Sequence, residues 1–354
     1  MKLCFDLAKG GEGFVSPNPL VGAVIVKNKK IIGKGYHQEF GKPHAEVNAI
    51  NSCTDNPEGA TLYCNLEPCS HTSKKTLPCV PIIIKCGIKK VVISNTDPNP
   101  AVSGKGIQAL KDAGLEVVTE IMRDEGFEIN RFFLTHIKRK LPYVTLKIAR
   151  SLDGKIAAGD KRIKITGEIA DVFTHSQRSI YDSVLVGRNT IDIDDPELNV
   201  RRVEGRNPKR IVIDGELNVN PKSKCFNDAD GRNTIIITSD KKHNEKIRIF
   251  ENKEVNIIKL AAKDDGKLDL KKILLILYQM NIASIFVEGG KEIFSQFINQ
   301  KLFDELIILQ SAKILGKGTL DFESKNSYSL KLHSVERYGD DIKSVFRNKD
   351  FGII

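Results

Sequence analysis

The sequence has no tryptophan, so no indole is available to any site it builds. No apolar run reaches the roughly 20 residues of a membrane-spanning helix, which excludes a helical membrane protein. An acid at Asp6 interrupts the stretch where an export signal would keep its apolar core, so none is expected. The seven cysteines are an odd number in a chain of 354 residues and do not form the pattern of a disulfide framework. A reducing, cytoplasmic setting is therefore expected. There is no internal repeat, no low-complexity linker and no block of like charge. The net charge of +10 is spread along the chain. It suits a phosphorylated small molecule as well as nucleic acid, and without a clustered basic arm nucleic acid is not the expected partner. No Gly-x-Gly-x-x-Gly is present, which removes the usual fingerprint of a Rossmann dinucleotide fold.

What the chain does have is His44-Ala45-Glu46, then Pro68-Cys69, then Pro78-Cys79. Two thiols and an imidazole suit a borderline-soft metal, and three protein ligands to zinc leave its fourth position for water. A zinc with an open position lowers the pKa of bound water toward neutrality. Glu46, two residues past His44, is close enough to exchange a proton with that water without ligating the metal. This order of residues is similar to the H-x-E…P-C-x-x-C signature of zinc-dependent nucleobase deaminases, except that nine residues separate the cysteines. Two plainer readings stand beside it: a structural zinc site closed by His71, or two unrelated buried thiols.

The length implies two domains. The proposed boundary falls at Pro142, giving 1–140 and 141–354. The first half predicts a hairpin (residues 21–26 and 31–36) followed by alternating helix and strand. A helical pattern then runs over 120–140. The second half predicts strands at 143–149, 183–187, 209–213, 234–238, 255–258 and 283–287, with helices at 167–180, 268–280 and 290–299. That order is an α/β domain with a mainly parallel sheet, whose ligands bind at the carboxyl ends of the strands. Glu288-Gly289-Gly290 lies at such an end and opens a helix, where backbone amides favour a phosphate; a plain tight turn would look the same. The segment from Leu320 onward reads as strand.

Pro17 to Gly22 (PNPLVG), Gly41 to Glu46 (GxxHAE), Leu66 to His71 (LEPCSH), Pro78-Cys79 and Asp97 to Pro100 (DPNP) resemble the deaminase half of the bifunctional riboflavin-biosynthesis deaminase/reductase family. Ser151 to Lys155 (SLDGK), Asp194 to Arg201 (DDPxLxVR) and Val287 to Gly290 (VEGG) resemble its reductase half. The resemblance implies a cytidine-deaminase-like α/β/α domain followed by a dihydrofolate-reductase-like α/β domain, with Zn2+ and NADPH as cofactors. It implies His44, Cys69 and Cys79 as zinc ligands and Glu46 as proton shuttle. Asn18, His37, His71, Asp97 and Asn99 would line a pyrimidine phosphate pocket, with Lys74 or Lys75 near the phosphate. Asn18 and Asn99 lie between prolines and also suit ordinary turns.

In the second half the same resemblance places Ala149, Lys164, Thr166, Thr190, Asp194, Gly289 and Gly290 at the dinucleotide. Arg162, Arg178, Leu198 and Arg201 would meet the substrate, and Lys147 and Glu288 the reacting sugar. Lys147 and Glu288 could equally be a buried ion pair. The chain departs from the family at three points: Lys164 stands where a Trp is usual, Arg162 where a substrate-binding Ser is usual, and Gly215 where a cofactor-contacting Ser is common. The implied activity is deamination of 2,5-diamino-6-ribosylamino-4(3H)-pyrimidinone 5′-phosphate, then reduction of its ribosyl group to ribityl. The expected assembly is a homo-oligomer, dimer or tetramer, with no membrane partner. Two other readings compete: a nucleoside or tRNA deaminase with an unrelated appended domain, and a non-catalytic zinc-stabilised binding protein.

Overall fold

A computed structural model describes residues 1–70, 77–100, 102–158, 163–227, 233–241 and 244–349. His71, Lys74, Lys75 and Arg162 lie outside them. The chain divides into two compact units, Met1–Lys140 and Leu141–Ile354.

In the first unit α1 (Lys2–Ala8) precedes a hairpin of β1 (Gly22–Lys27) and β2 (Lys30–Tyr36). The turn between the two strands is Asn28-Lys29, both at positive φ, as a two-residue hairpin requires. Then come α2 (Ala45–Asn51), β3 (Thr61–Leu66), α3 (Cys79–Lys85), β4 (Lys90–Asn95), α4 (Lys105–Asp112), β5 (Glu116–Val118), α5 (Arg123–Ile129) and α6 (Arg131–Arg139). The sheet order is β2-β1-β3-β4-β5, antiparallel through β3 and parallel beyond it. Its core includes the fully buried Ile25, Leu62, Ile83, Ile93 and Leu110. The single helical pattern over 120–140 resolves into two helices broken at Asn130. The Asn130 side chain accepts from the Leu20 amide (2.8 Å) and donates to the Leu20 carbonyl (3.0 Å), so a contact from 110 residues away overrides the local periodicity.

The second unit opens with β6 (Tyr143–Arg150) and β7 (Lys155–Ala157), followed by α7 (Glu168–Ile180), β8 (Ser183–Gly187) and α8 (Arg188–Asp194). Next are β9 (Lys209–Ile213), β10 (Thr234–Ser239), α9 (Asn244–Glu251), β11 (Asn256–Leu260), α10 (Leu270–Gln279), β12 (Ser284–Gly289) and α11 (Lys291–Asn299). It ends with β13 (Glu305–Gln310), β14 (Thr319–Leu320), β15 (Lys331–Tyr338) and β16 (Asp341–Arg347). Nine strands form one sheet in the order β11-β10-β9-β8-β12-β6-β13-β16-β15. Pairing is parallel from β11 to β13, and the closing hairpin β15–β16 is antiparallel. Residues 188–194 and 305–310 carry no element in the sequence reading. The first is polar and starts directly at Gly187 with no turn before it. One apolar cluster packs α10 and α11 against β6, β12 and β13, and a second packs α8 and α9 against β8, β9 and β10.

Candidate deaminase and reductase sites

In the first unit three short elements converge. His44 is the residue before α2, in extended conformation, so its ring stands at the helix mouth. Cys69 follows β3 by three residues, and Cys79 is the first residue of α3. His44 Nδ1 lies 3.4 Å from Cys69 Sγ and 3.3 Å from Cys79 Sγ. The three possible ligand atoms all fall within 4.8 Å of one another, the one such group found among the described residues. The Cys79 amide also points at Cys69 Sγ (3.4 Å). A hydrogen bond from Cys79 brings the Cys69 thiol down to about 4; burial opposes this and His44 adds to it. The same bond, with burial, pushes Cys79 well up. The two sulfurs thus share a proton, which a metal would displace. Soft donors and convergent ligand atoms fit zinc.

Glu46 is 3% exposed, and burial raises its carboxyl above the usual range despite the opposing charge of His44. It also shares a hydrogen bond with Cys79. Asn18 Nδ2 meets His37 Nε2 at 3.2 Å, while His37 Nδ1 lies 3.2 Å from the Pro43 carbonyl. Nδ1–H donates to the carbonyl oxygen, which leaves Nε2 to accept from Asn18 Nδ2. The His37 ring stands edge-on to His44 at 5.4 Å. The structure therefore brings Asn18 and His37 to the His44 cluster. Asp97 and Asn99 sit in the loop after β4, where Asp97 Oδ1 accepts from the Asn99 amide (2.8 Å).

In the second unit a cleft of about 1890 Å3 runs along the carboxyl ends of β6, β8, β9 and β12. Lys147, Ala149, Lys164, Thr166, Arg178, Thr190, Asp194, Leu198, Glu288, Gly289 and Gly290 all line it. Arg201 does not: its guanidinium bonds Asn199 Oδ1 (2.8 Å) and lies 3.8 Å from Glu197. Its amide donates to His175 Nδ1 (3.2 Å). Burial, with Arg178 and Arg201 nearby, brings His175 down to about 4, the neutral state an accepting Nδ1 requires.

Arg178 is not a free cation. Its Nε and one terminal nitrogen bind Glu288 at 2.6 and 2.9 Å, and the other binds the Asn199 carbonyl at 3.0 Å. Burial would raise the Glu288 carboxyl, but Arg178, with Lys147 beyond it, holds it below its usual range. Burial lowers Lys147, with Glu288 opposing and Arg178 assisting. Lys147 and Arg178 thus lie in the field of two carboxylates, Glu288 and Asp171. Lys164 turns to Asp171 (2.8 Å).

Gly289 has φ +144°, and a Cβ on it or on Gly290 would lie 3.2 Å from Thr190 Oγ1. The backbone entering α11 is bare where the cleft passes it, which fits the pyrophosphate of a dinucleotide at a helix start. Two residues with clear structural roles were given none from sequence. One is His175. The other is Glu67, for which an acid placed directly before Pro-Cys is the available signal.

Comparison with known proteins agrees across the chain. Residues 1–95 match the cytidine and deoxycytidylate deaminase zinc-binding region, and residues 142–344 match the RibD C-terminal domain. Riboflavin biosynthesis protein RibD of Aquifex aeolicus is 41% identical, covering 98% of this chain and 97% of the relative. That of Bacillus amyloliquefaciens is 38% identical, covering 99% and 96%. A solved structure from Thermotoga maritima is described as a diaminohydroxyphosphoribosylaminopyrimidine deaminase/5-amino-6-(5-phosphoribosylamino)uracil reductase. It superposes with TM-score 0.86 at 37% identity, over 98% of this chain and 97% of that one. Acinetobacter baumannii RibD superposes with TM-score 0.88 at 32% identity, with the same coverage. The chain belongs to the RibD family of riboflavin biosynthesis, as a bifunctional deaminase and reductase that uses Zn2+ and NADPH.

Proposed function

We propose that the chain deaminates 2,5-diamino-6-ribosylamino-4(3H)-pyrimidinone 5′-phosphate in its first unit. In its second it reduces the deaminated ribosyl group to ribityl. The observation that carries the first step is the convergence of His44, Cys69 and Cys79 beside the buried carboxyl of Glu46. In this reading those three residues hold zinc, which when bound makes water a nucleophile at neutral pH. Glu46 takes the proton released by that water and passes it to the departing amine, so that ammonia leaves and a carbonyl remains. Asn18, His37, His71, Asp97 and Asn99 bind the pyrimidine phosphate in this reading.

For the second step NADPH, when bound, supplies the hydride. Ala149, Lys164, Thr166, Thr190, Asp194, Gly289 and Gly290 hold the cofactor, and Arg162 and Leu198 the substrate. Opening the sugar requires a proton at the ring oxygen. Lys147, whose burial makes its proton easier to release, is the proposed donor. Glu288 is fixed by Arg178 and orients the sugar. The partner is a small phosphorylated pyrimidine rather than nucleic acid, and the chain works as a cytoplasmic homo-oligomer. No helix among the described residues is long and apolar enough to cross a membrane.

The test supplies the diaminopyrimidinone ribosyl phosphate and follows ammonia release and NADPH oxidation separately, with and without a zinc chelator. Chelator-sensitive ammonia release followed by oxidation supports both steps. Ammonia without oxidation would remove the reductase reading and point to Lys164, Arg162 and Gly215. Neither signal from zinc-loaded protein would overturn the substrate assignment.

A further inference from the structure

Helix α4 begins at Gly104, which offers no side-chain cap to the amides of the first turn. Those amides need acceptors. Their acceptor comes from another part of the chain: the carboxylate of Glu67, beyond the end of β3. Glu67 Oε2 accepts from the amides of Asp97 (3.1 Å) and Gly104 (3.0 Å). Oε1 accepts from Gly106 (2.9 Å) and Ile107 (3.2 Å). The Glu67 amide in turn donates to the Asn95 carbonyl (2.9 Å). Glu67 is 4% exposed, so the positive end of α4 and four amides face one buried anion. The fit leaves no slack, because a Cβ on Gly106 would lie 2.1 Å from the Pro68 carbonyl.

The consequence is geometric. Two residues after Glu67 comes Cys69 of the His44 cluster. At the far side of the same carboxylate is Asp97, which holds the amide of Asn99. We infer that Glu67 is a positioning residue for the deaminase: it fixes the loop carrying Asp97 and Asn99 relative to the strand end carrying Cys69. This rests on the reading in which Asp97 and Asn99 hold the pyrimidine. In this role Glu67 acts through backbone amides. It sets the distance between the part of the site that binds the ring and the part that attacks it.

Glu67→Gln is the direct test. The amide has one accepting oxygen, and its NH2 group would face two of the four N–H donors. Losing charge-assisted bonds of this kind should raise KM for deamination about tenfold or more, with kcat less affected. Zinc content by metal analysis and NADPH affinity by fluorescence titration should stay at the parent values. Glu67→Asp keeps the charge but is one methylene shorter, so its KM should fall between the two. An unchanged KM in either variant would overturn the inference. So would zinc loss that tracks the loss of activity, since the residue would then serve the metal strand alone. Asn99→Ala separates the two readings. If it leaves KM unchanged, the loop does not bind substrate. If it raises KM while Glu67→Gln does not, the positioning role alone is wrong.

Discussion

The two sites are built in opposite ways. The first gathers three ligand atoms within 4.8 Å from three short elements, with its chemistry concentrated in a few side chains. The second is a cleft of about 1890 Å3 lined by many residues of several elements, in which the buried Arg178 and Glu288 bind each other. A site that activates water must supply reactive groups of its own. A site whose cofactor carries the reaction has to bind, orient and bias charge. The first should therefore fail abruptly when one side chain changes, and the second by degrees.

The largest effect tests that contrast directly. Cys79→Ala should abolish zinc retention and ammonia release while NADPH binding persists, read by metal analysis and cofactor titration. Loss of both together would mean that the units do not fold independently. Glu46→Gln should keep zinc but lower kcat for deamination about 10²–10⁴-fold, as expected for removal of a general acid–base group. Parent-like turnover would put the proton shuttle elsewhere. In the second unit, Arg178→Met leaves Glu288 buried without its partner. Denaturant unfolding should show a loss of about 3–5 kcal/mol, and a much smaller loss would mean that the carboxylate finds water or Lys147 instead.

The Glu288 carboxyl sits below its usual 4.5 in the folded state, so its contribution is present above the unfolded value and is lost as pH falls through the folded one. Glu288→Gln should flatten the acid limb of stability against pH in that range, and an unaltered limb would assign it to other carboxylates. The smallest effect is expected from Arg201→Ala, whose contacts to Asn199 and Glu197 are largely exposed. Stability should change by about 0.5 kcal/mol or less. If it binds substrate, KM should rise while NADPH affinity holds; equal weakening would place it at the cofactor.

The same contrast explains what could be read from residues alone. His44, Glu46, Cys69 and Cys79 are legible because metal and proton chemistry tolerate few residue types, and short elements keep them close in sequence. The strand runs of the second unit are legible because a parallel sheet buried on both faces needs uninterrupted apolar residues. The Arg178–Glu288 fork spans 110 positions and leaves no local trace. Glu67 binds backbone amides, which any residue supplies, so its partners carry no signature. The break at Asn130 was hidden because the periodicity of α5 and α6 runs on across a residue fixed by Leu20.

The position of β6 also bears on the order in which the molecule is made. It is the first strand of its unit, yet it lies between β12 and β13: Tyr143 pairs with Ser284 and Thr145 with Glu305. In the first unit, by contrast, Ala23 finds Cys64. Contacts between distant positions form slowly, and a chain leaves the ribosome from its N-terminus. The metal-binding half can therefore be complete while β6 still waits, its two neighbours not yet translated. Lys147 and Glu288 can meet only when synthesis is nearly over. A ribosome that stalls before β12 would release a chain able to hold zinc but with no reductase.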